Sequence, residues 1–195
     1  MAVGAVERAR QLLLRPAAAW AAIEAEAPNV QDLYTRYVMI LAAIPPLALF
    51  VGGCIVGVGG LGTYYRVPLA PGLAAAVLGW ALTLASVFAM ALVIDALAPA
   101  FGGERNFTRA MQVASYSPTA FWVAGALHVV PVLGLFSVAG LYSLWLLWLG
   151  LPRLMRIPED KAVPCLIVVM VAGVVAMAAT WTVAGLVLPS RVRGF

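Results

Sequence analysis

Asp95 is an acidic residue inside a long apolar stretch, Leu73 to Leu97, which carries no other charge. A carboxylate within a membrane helix is energetically costly and is by default a hypothesis for ion or proton coupling. It lies about one turn from the end of the stretch, where it could pair with Arg105, Arg109 or Arg153. We therefore expect structural pairing, with ion or proton coupling as the alternative.

The remaining reactive side chains form no catalytic or metal-binding pattern. The sequence has one histidine, His128, and two cysteines, Cys54 and Cys165, that are far apart in the chain. Zinc or haem sites need several such ligands, and the sequence also lacks a phosphate-binding Gly-Lys-Ser/Thr loop and a nucleophile elbow. We therefore expect no enzyme activity, no cofactor and no metal. His128 is expected at the membrane interface, and the cysteines are expected to be free thiols too far apart for a disulfide.

Composition predicts an integral membrane protein. Of the 195 residues, 64% are hydrophobic and 10% are charged, and the mean hydropathy is +1.01. In soluble globular domains about a quarter of the residues are charged. The net charge of +4 is spread between apolar blocks, which argues against nucleic acid as a partner. All the basic residues except Lys161 are arginines, and with the high alanine and glycine content this favours a bacterial source.

About five stretches are long and apolar enough to cross a bilayer as helices. They are Val38 to Val58, Leu73 to Leu97, Ala110 to Val130, Val132 to Met155 and Pro164 to Leu188. The hydrophilic residues of the third stretch are Gln112, Ser115, Tyr116 and Ser117, followed by Pro118. Such a stretch can span a membrane only if these groups face other helices. The sequence thus predicts an all-α, polytopic membrane protein.

The chain is predicted to have three regions: amphipathic helices in residues 1–36, a five-helix transmembrane domain in residues 37–189 and a short tail in residues 190–195. In the first region apolar residues recur at helical spacing, and Pro16 suits the first turn of a second short helix. We expect two short helices on the cytoplasmic surface of the membrane. The alternative is a soluble cap folded over the cytoplasmic loops.

Basic residues predict the orientation in the membrane. Nine of the twelve lie in the N-terminal segment and in the second and fourth loops, and the other three lie on the opposite side. By the positive-inside rule, the N-terminus is cytoplasmic and the C-terminus is periplasmic, in a bacterial inner membrane. Tyr34 and Tyr37, before the first span, suit the aromatic belt at one interface.

Several short sequence motifs occur in a fixed order along the chain. They are Pro16, Trp20 and Ile23, then Phe101-Gly102-Gly103, Tyr116 and Pro118, Gly140-Leu141-Tyr142, Gly150-Leu151-Pro152 and Pro158-Glu159-Asp160-Lys161. In this order and spacing they resemble the bacterial branch of the Yip family, named for Ypt/Rab-interacting membrane proteins. The resemblance covers nearly the whole chain and implies a five-helix membrane domain with a cytoplasmic N-terminus. Eukaryotic members are associated with Rab GTPases and vesicle trafficking, machinery that bacteria lack, so the resemblance implies the architecture but no reaction.

Two functions remain open. The first is a non-catalytic scaffold or accessory subunit of a larger membrane complex, or a role in membrane organisation. The second is a small transporter or channel that uses Asp95 and a helix broken at Pro45 and Pro46. The first is favoured because the sequence contains no internal repeat, no second charge inside a span and no polar stripe to line a pore.

The expected partners are the lipid bilayer and either other membrane-protein subunits or a second copy of the chain. The candidate functional or partner-contact residues are Asp95, Tyr116, Pro118, Arg153, Glu159, Asp160 and Lys161. The last three are expected to form a solvated turn, with a partner-docking surface as the alternative.

Overall fold

The computed structural model describes residues 4–27, 29–60 and 63–187. The α-helices are α1 (Ala5–Leu14), α2 (Pro16–Ala25), α3 (Val30–Leu33), α4 (Met39–Leu41), α5 (Ile44–Phe50), α6 (Leu69–Leu97), α7 (Phe107–Tyr116), α8 (Thr119–Gly125), α9 (Tyr142–Met155) and α10 (Glu159–Val187). Tyr34–Val38 and Val51–Val56 are π-helical, and Ala98–Phe101, Ala126–Val129 and Pro131–Leu141 are 3₁₀-helical. A small antiparallel hairpin joins β1 (Val58–Gly60) to β2 (Thr63–Tyr65), with Val58 opposite Tyr65.

Three helical stretches of the described residues are long and apolar enough to cross a membrane. They are Val30–Val56, Leu69–Phe101 and Leu135–Met155. They overlap the first, second and fourth predicted spans and confirm the helical membrane-protein class. The fifth predicted span lies within α10, a helix of 29 residues, although its last residue, Leu188, falls outside the described part.

The third predicted span is a broken, internal element instead of one continuous helix. The chain turns at Ser117 and Pro118 between α7 and α8, and a 3₁₀ turn follows α8. All residues from 110 to 117 are buried in the protein. The polar groups of this stretch therefore face other helices. This is the arrangement in which a membrane protein tolerates such groups.

The first membrane stretch bends where α5 begins. Pro45 and Pro46 lie in the first turn of α5, where a missing backbone N–H leaves no hydrogen bond unmade. A Cβ placed on Gly125 of α8 would lie 2.6 Å from Cγ of Pro45. The proline break is thus a site of close helix packing.

The two N-terminal helices cover one end of the bundle. This end contains α1, α2, residues 98–109 and the turn between α9 and α10, and we call it the capped end. Leu12, Trp20 and Ile23 are fully buried against the bundle, although Val6 and Leu14 on α1 are exposed. The structure therefore favours the cap alternative over helices whose apolar faces lie in lipid.

The first predicted region boundary does not match the start of the first membrane helix. The boundary at residue 36 falls inside the continuous helical stretch Val30–Val56, so the first membrane helix begins before it. The predicted tail, residues 190–195, lies outside the described residues.

Candidate functional site

The capped end is built around Trp20. Pro16 starts α2 in its first turn, and Trp20 and Ile23, three residues apart, lie on the same face of the helix. A Cβ on Gly150 of α9 would lie only 2.6 Å from Cη2 and Cζ2 of Trp20. The indole also meets the Tyr116 ring edge-on, with centroids 6.2 Å apart. Gly150 thus provides a notch that holds the indole, which we call the Trp20 notch.

Two arginines from the bundle hold α2 over this notch. Nε of Arg153 donates to Oε2 of Glu24 at 2.7 Å, and its Nη1 donates to the carbonyl oxygen of Ala17 at 3.3 Å. Nη1 of Arg109 donates to the carbonyl oxygen of Ile23 at 3.4 Å. The last turn of a helix carries partial negative charge, so the cationic Arg109 stabilises that end of α2, whereas Arg153 contacts the helix at both ends, through Ala17 and Glu24. Arg153 therefore holds the cap to the bundle.

Arg8 of α1 forms an ion pair that links α1 to the end of α2. Its side chain is buried, and Nη2 donates to Oε1 of Glu26, just after α2. Its Nη1 is buried without a hydrogen-bond partner among the described residues. A buried guanidinium needs its counter-charge, so loss of Glu26 would leave Arg8 uncompensated inside the core.

The broken third stretch is held by a short chain of hydroxyl groups. Oγ1 of Thr119 lies 2.6 Å from the carbonyl oxygen of Tyr116 and 2.7 Å from the Tyr37 hydroxyl. Because Thr119 has one hydroxyl proton and donates it to the carbonyl, the Tyr37 hydroxyl is the donor to Thr119. The rings of Tyr37 and Tyr116 also pack edge to face, with centroids 4.8 Å apart. Pro118, half-buried, sets the turn between α7 and α8.

Tyr37 corrects one sequence-based expectation. It is 4% exposed and lies in the core, not in an interfacial aromatic belt. Its neighbour Tyr34 is half-buried and donates to the carbonyl oxygen of Leu84 in α6. Both hydroxyl groups therefore stabilise contacts between helices, because the helix containing them begins well before the predicted start of the first span.

Asp95 forms the pair that its position predicted. Nε of Arg105 donates to its Oδ2 at 3.2 Å. The Asp95 residue is buried, whereas the Arg105 side chain is 72% exposed. The second carboxylate oxygen, Oδ1, is buried without a hydrogen-bond partner among the described residues. Asp95 thus lies between the core and the surface of the capped end, in the last turn of α6.

The two loops at the capped end contact each other. Nη1 of Arg156 donates to Oε1 of Glu104 at 2.9 Å, and the backbone N–H of Glu104 donates to the carbonyl of Met155 at 2.9 Å. Gly102 has a left-handed φ of 78°, and a Cβ on it would lie 3.6 Å from Nζ of Lys161. The turn after α6 therefore packs against the start of α10. This agrees with the sequence expectation that the second and fourth loops share one face with the N-terminal helices.

Glu159, Asp160 and Lys161 are exposed in the first turn of α10. Carboxylates at this position complement the partial positive charge of a helix N-terminus. Neither acid forms an ion pair within the described part of the chain. This matches the predicted solvated turn and leaves two exposed acids for external contacts.

The cysteines and the histidine form no cluster with one another. Cys54 and Cys165 are free and buried. His128 is half-buried, and its Nδ1 lies 3.0 Å from the carbonyl oxygen of Gly125, so this nitrogen carries the proton in that contact. Within residues 4–27, 29–60 and 63–187, no three His, Cys, Asp or Glu side chains are grouped so that they could hold a metal ion.

Sequence reasoning missed the roles of Gly150, Arg8 and Thr119. Gly150 gave a partial signal, because a small residue in a membrane helix indicates close approach of another element. Nothing in the sequence identifies that element as Trp20, about 130 residues away. In the sequence, Arg8 appears only as one of the basic residues that predict the orientation.

The family model that describes the Yip1 domain matches residues 10–180. The chain is also similar to "Inner membrane protein YohC" of Escherichia coli strain K12 and to the protein of the same name in strain CFT073 of E. coli O6:H1. Each is 30% identical over 144 residues, which cover 71% of this chain and 74% of the relative. Neither name states an enzymatic activity. No solved structure matches the chain at a significant level.

Proposed function

The chain belongs to the Yip1 domain family, and from this premise we propose that it is a non-catalytic protein of the bacterial inner membrane. In this proposal it acts as a scaffold or accessory subunit of a larger membrane complex. It lies in the lipid bilayer, and its partners are other membrane-protein subunits. The name of its E. coli relative, an inner membrane protein, supports this location.

One observation carries the proposal: the groups that a transporter would use are engaged in contacts within the chain. Asp95 is paired with Arg105 at the capped end, and the break at Pro45 is packed against Gly125. A coupling carboxylate is expected near the middle of the membrane, at a helix break that lines a cavity. Here Asp95 lies in α6 and the proline break lies at α5. The first forms an ion pair and the second forms a close helix contact.

The charges of the capped end support a protein partner over a lipid surface. All eight acidic residues of the chain lie in the capped end or in the segments that adjoin it along the chain, together with nine of its twelve basic residues. Recognition of anionic lipid requires a cluster of basic residues with few acids between them. A nearly neutral, mixed surface is better suited to specific ion pairs with another protein.

We also propose that the capped end faces the cytoplasm. This orientation places the basic residues of the N-terminal segment and of both loops on the side that the positive-inside rule requires. The N-terminus is then cytoplasmic and the C-terminus periplasmic.

The test is purification of the tagged protein from its native membrane in mild detergent. A companion membrane protein should copurify at a fixed molar ratio from wild-type protein, and at the same ratio from the Asp95→Asn variant. Absence of any companion at a fixed ratio would contradict the scaffold proposal.

A transport function remains the second candidate, because the buried Oδ1 of Asp95 has no hydrogen-bond partner among the described residues. A proton-coupled transporter needs a carboxylate that can take up and release a proton. Reconstituted vesicles should then show a pH-linked flux that Asp95→Asn abolishes at unchanged protein abundance. We expect no such flux, and its detection would replace the scaffold proposal.

A further inference from the structure

An open apolar groove runs between α9 and α10. Its volume is about 340 Å³, and its walls are formed by Leu144, Trp145, Trp148, Val163 and Leu166. On α9, Trp148 lies three residues after Trp145 and four after Leu144, and on α10, Leu166 lies three residues after Val163. Residues three or four apart lie on the same face of a helix, so the wall residues of each helix share one face. The groove is thus bounded by one face of each of two neighbouring helices.

Two tryptophans form one wall of this groove. The rings of Trp145 and Trp148 lie 4.7 Å apart between centroids, and the residues are 45% and 36% exposed. Tryptophan supplies a large contact area at a small loss of side-chain freedom and is enriched among residues that dominate binding energy. Because apolar surface alone does not drive helices together in lipid, a groove of defined shape is what a docking helix requires.

The mouth of the groove is acidic. Glu159 lies four residues before Val163 and seven before Leu166, which places it on the same face of α10, about one turn above the groove. Asp160 follows directly. Both are exposed, and neither pairs with a cation in the described residues. Carboxylates in the first turn stabilise α10 by themselves, yet they still present negative charge at the edge of the groove.

We propose that this groove docks a transmembrane helix of a different protein, whose apolar face packs on Trp145 and Trp148. Its end at the capped side carries Lys or Arg to pair with Glu159 and Asp160. This inference rests on the scaffold role proposed above and specifies its partner surface.

Charge decides between this occupant and the others. An anionic lipid would place its headgroup next to Glu159 and Asp160, where like charges repel. A second copy that docked symmetrically would bring the same two acids of each chain together. Membrane helices, in contrast, commonly carry Lys and Arg at their cytoplasmic ends, which is the side that we assign to the capped end.

The test uses a photo-cross-linking amino acid at Val163 in the full-length tagged protein, irradiated in native membranes. Val163 lines the groove and is 51% exposed, so the probe leaves both tryptophans in place. We expect an adduct with one other membrane protein, with the cross-linked peptide in an apolar helix that ends in Lys or Arg. The matched control places the probe at Val77, which is 55% exposed on α6 and should give no protein adduct.

Two variants test how the partner is recognised. Trp148→Ala, and separately the pair Glu159→Gln with Asp160→Asn, should each lower the adduct yield at Val163 by about fivefold. Protein abundance and a single symmetric peak in detergent chromatography show that each variant is folded. Yields that do not change in either variant would overturn the proposed recognition.

Other products at Val163 would also overturn the proposal. An adduct of twice the protein's own mass would identify a second copy, and lipid adducts without a protein partner would identify an acyl chain. If a companion copurifies but the Val163 probe never reaches it, the groove proposal fails and the scaffold role stands. If no companion copurifies, the scaffold role itself fails.

Discussion

Gly150→Ala should loosen the N-terminal cap. The added Cβ would lie 2.6 Å from Cη2 and Cζ2 of Trp20 and 2.9 Å from Cε2, whereas carbon atoms in contact are about 3.5–4.0 Å apart. Trp20 is fully buried and also packs against Tyr116. The indole therefore cannot turn away within the notch, and α2 has to move outward.

The size of the effect follows from the contacts that hold the cap. An extra methyl group in a packed core costs about 1–3 kcal/mol. The ion pair between Arg153 and Glu24 is 41% and 47% exposed at its two side chains, so it contributes on the order of 0–1 kcal/mol and cannot offset the clash. If the full free-energy cost of the clash destabilises the docked cap, the fraction of molecules whose cap is undocked rises about 5- to 150-fold.

The open population can be measured by thiol labelling at Ala19. This residue is 3% exposed in α2, so a cysteine there reacts only when the cap opens. The native Cys54 and Cys165 are first replaced by alanine. The labelling rate in the folded protein, divided by the rate in the denatured protein, gives the open fraction, and Gly150→Ala should raise it about 5- to 150-fold.

Gly79→Ala on α6 is the matched control, because a Cβ there meets only Cβ of Pro46, at 3.9 Å. It makes the same change in a membrane helix without a clash, and its labelling rate should equal that of the parent. Equal rates for Gly150→Ala and Gly79→Ala would refute the Trp20 notch. Trp20→Phe in the Gly150→Ala background provides a second check, since the smaller ring should restore slow labelling.

Three further experiments test the capped end, the broken third stretch and the orientation. Asp95→Asn should leave a folded protein and lower stability by about 0–1 kcal/mol, since Arg105 is largely exposed; a drop in melting temperature like that of a core truncation would show that the carboxylate has a larger structural role. Tyr37→Phe removes the buried hydroxyl that donates to the threonine of α8 and should cost about 1 kcal/mol in the same thermal assay; no measurable loss would contradict that hydrogen bond. In intact cells, an impermeant thiol reagent should label Tyr65→Cys but not Arg156→Cys, and the reverse pattern would invert the proposed orientation.

The apolar stretches were predictable because a bilayer imposes a strong and simple pattern. The second span was predicted as Leu73 to Leu97, and α6 covers Leu69–Leu97. The fourth was predicted to end at Met155, where α9 ends. The Asp95 pairing was also predictable, because a carboxylate near a helix end has few cations within reach.

Conformation within the apolar stretches was less predictable. The fourth predicted span starts at Val132, but residues Pro131–Leu141 are 3₁₀-helical and the α-helix begins at Tyr142. Hydropathy is the same for both conformations, so the pattern of apolar residues does not separate them. The third span failed as a continuous helix for another reason. Ser117 and Pro118 gave the position of the break, but the burial of the stretch depends on helices from both ends of the chain.

The cap and the broken third stretch depend on each other. Tyr116 contacts Trp20 of the cap and Tyr37 of the first membrane stretch, so removal of α2 would expose an aromatic residue next to buried hydroxyl groups. Those hydroxyl groups, in turn, permit the break that places Tyr116 under the cap. The family match from residue 10 to residue 180 includes both α2 and this stretch, as expected if they form one structural unit. The capped end therefore packs as part of the helical bundle itself, and the partner helix proposed for the groove would contact the same helix, α9, that holds Trp20.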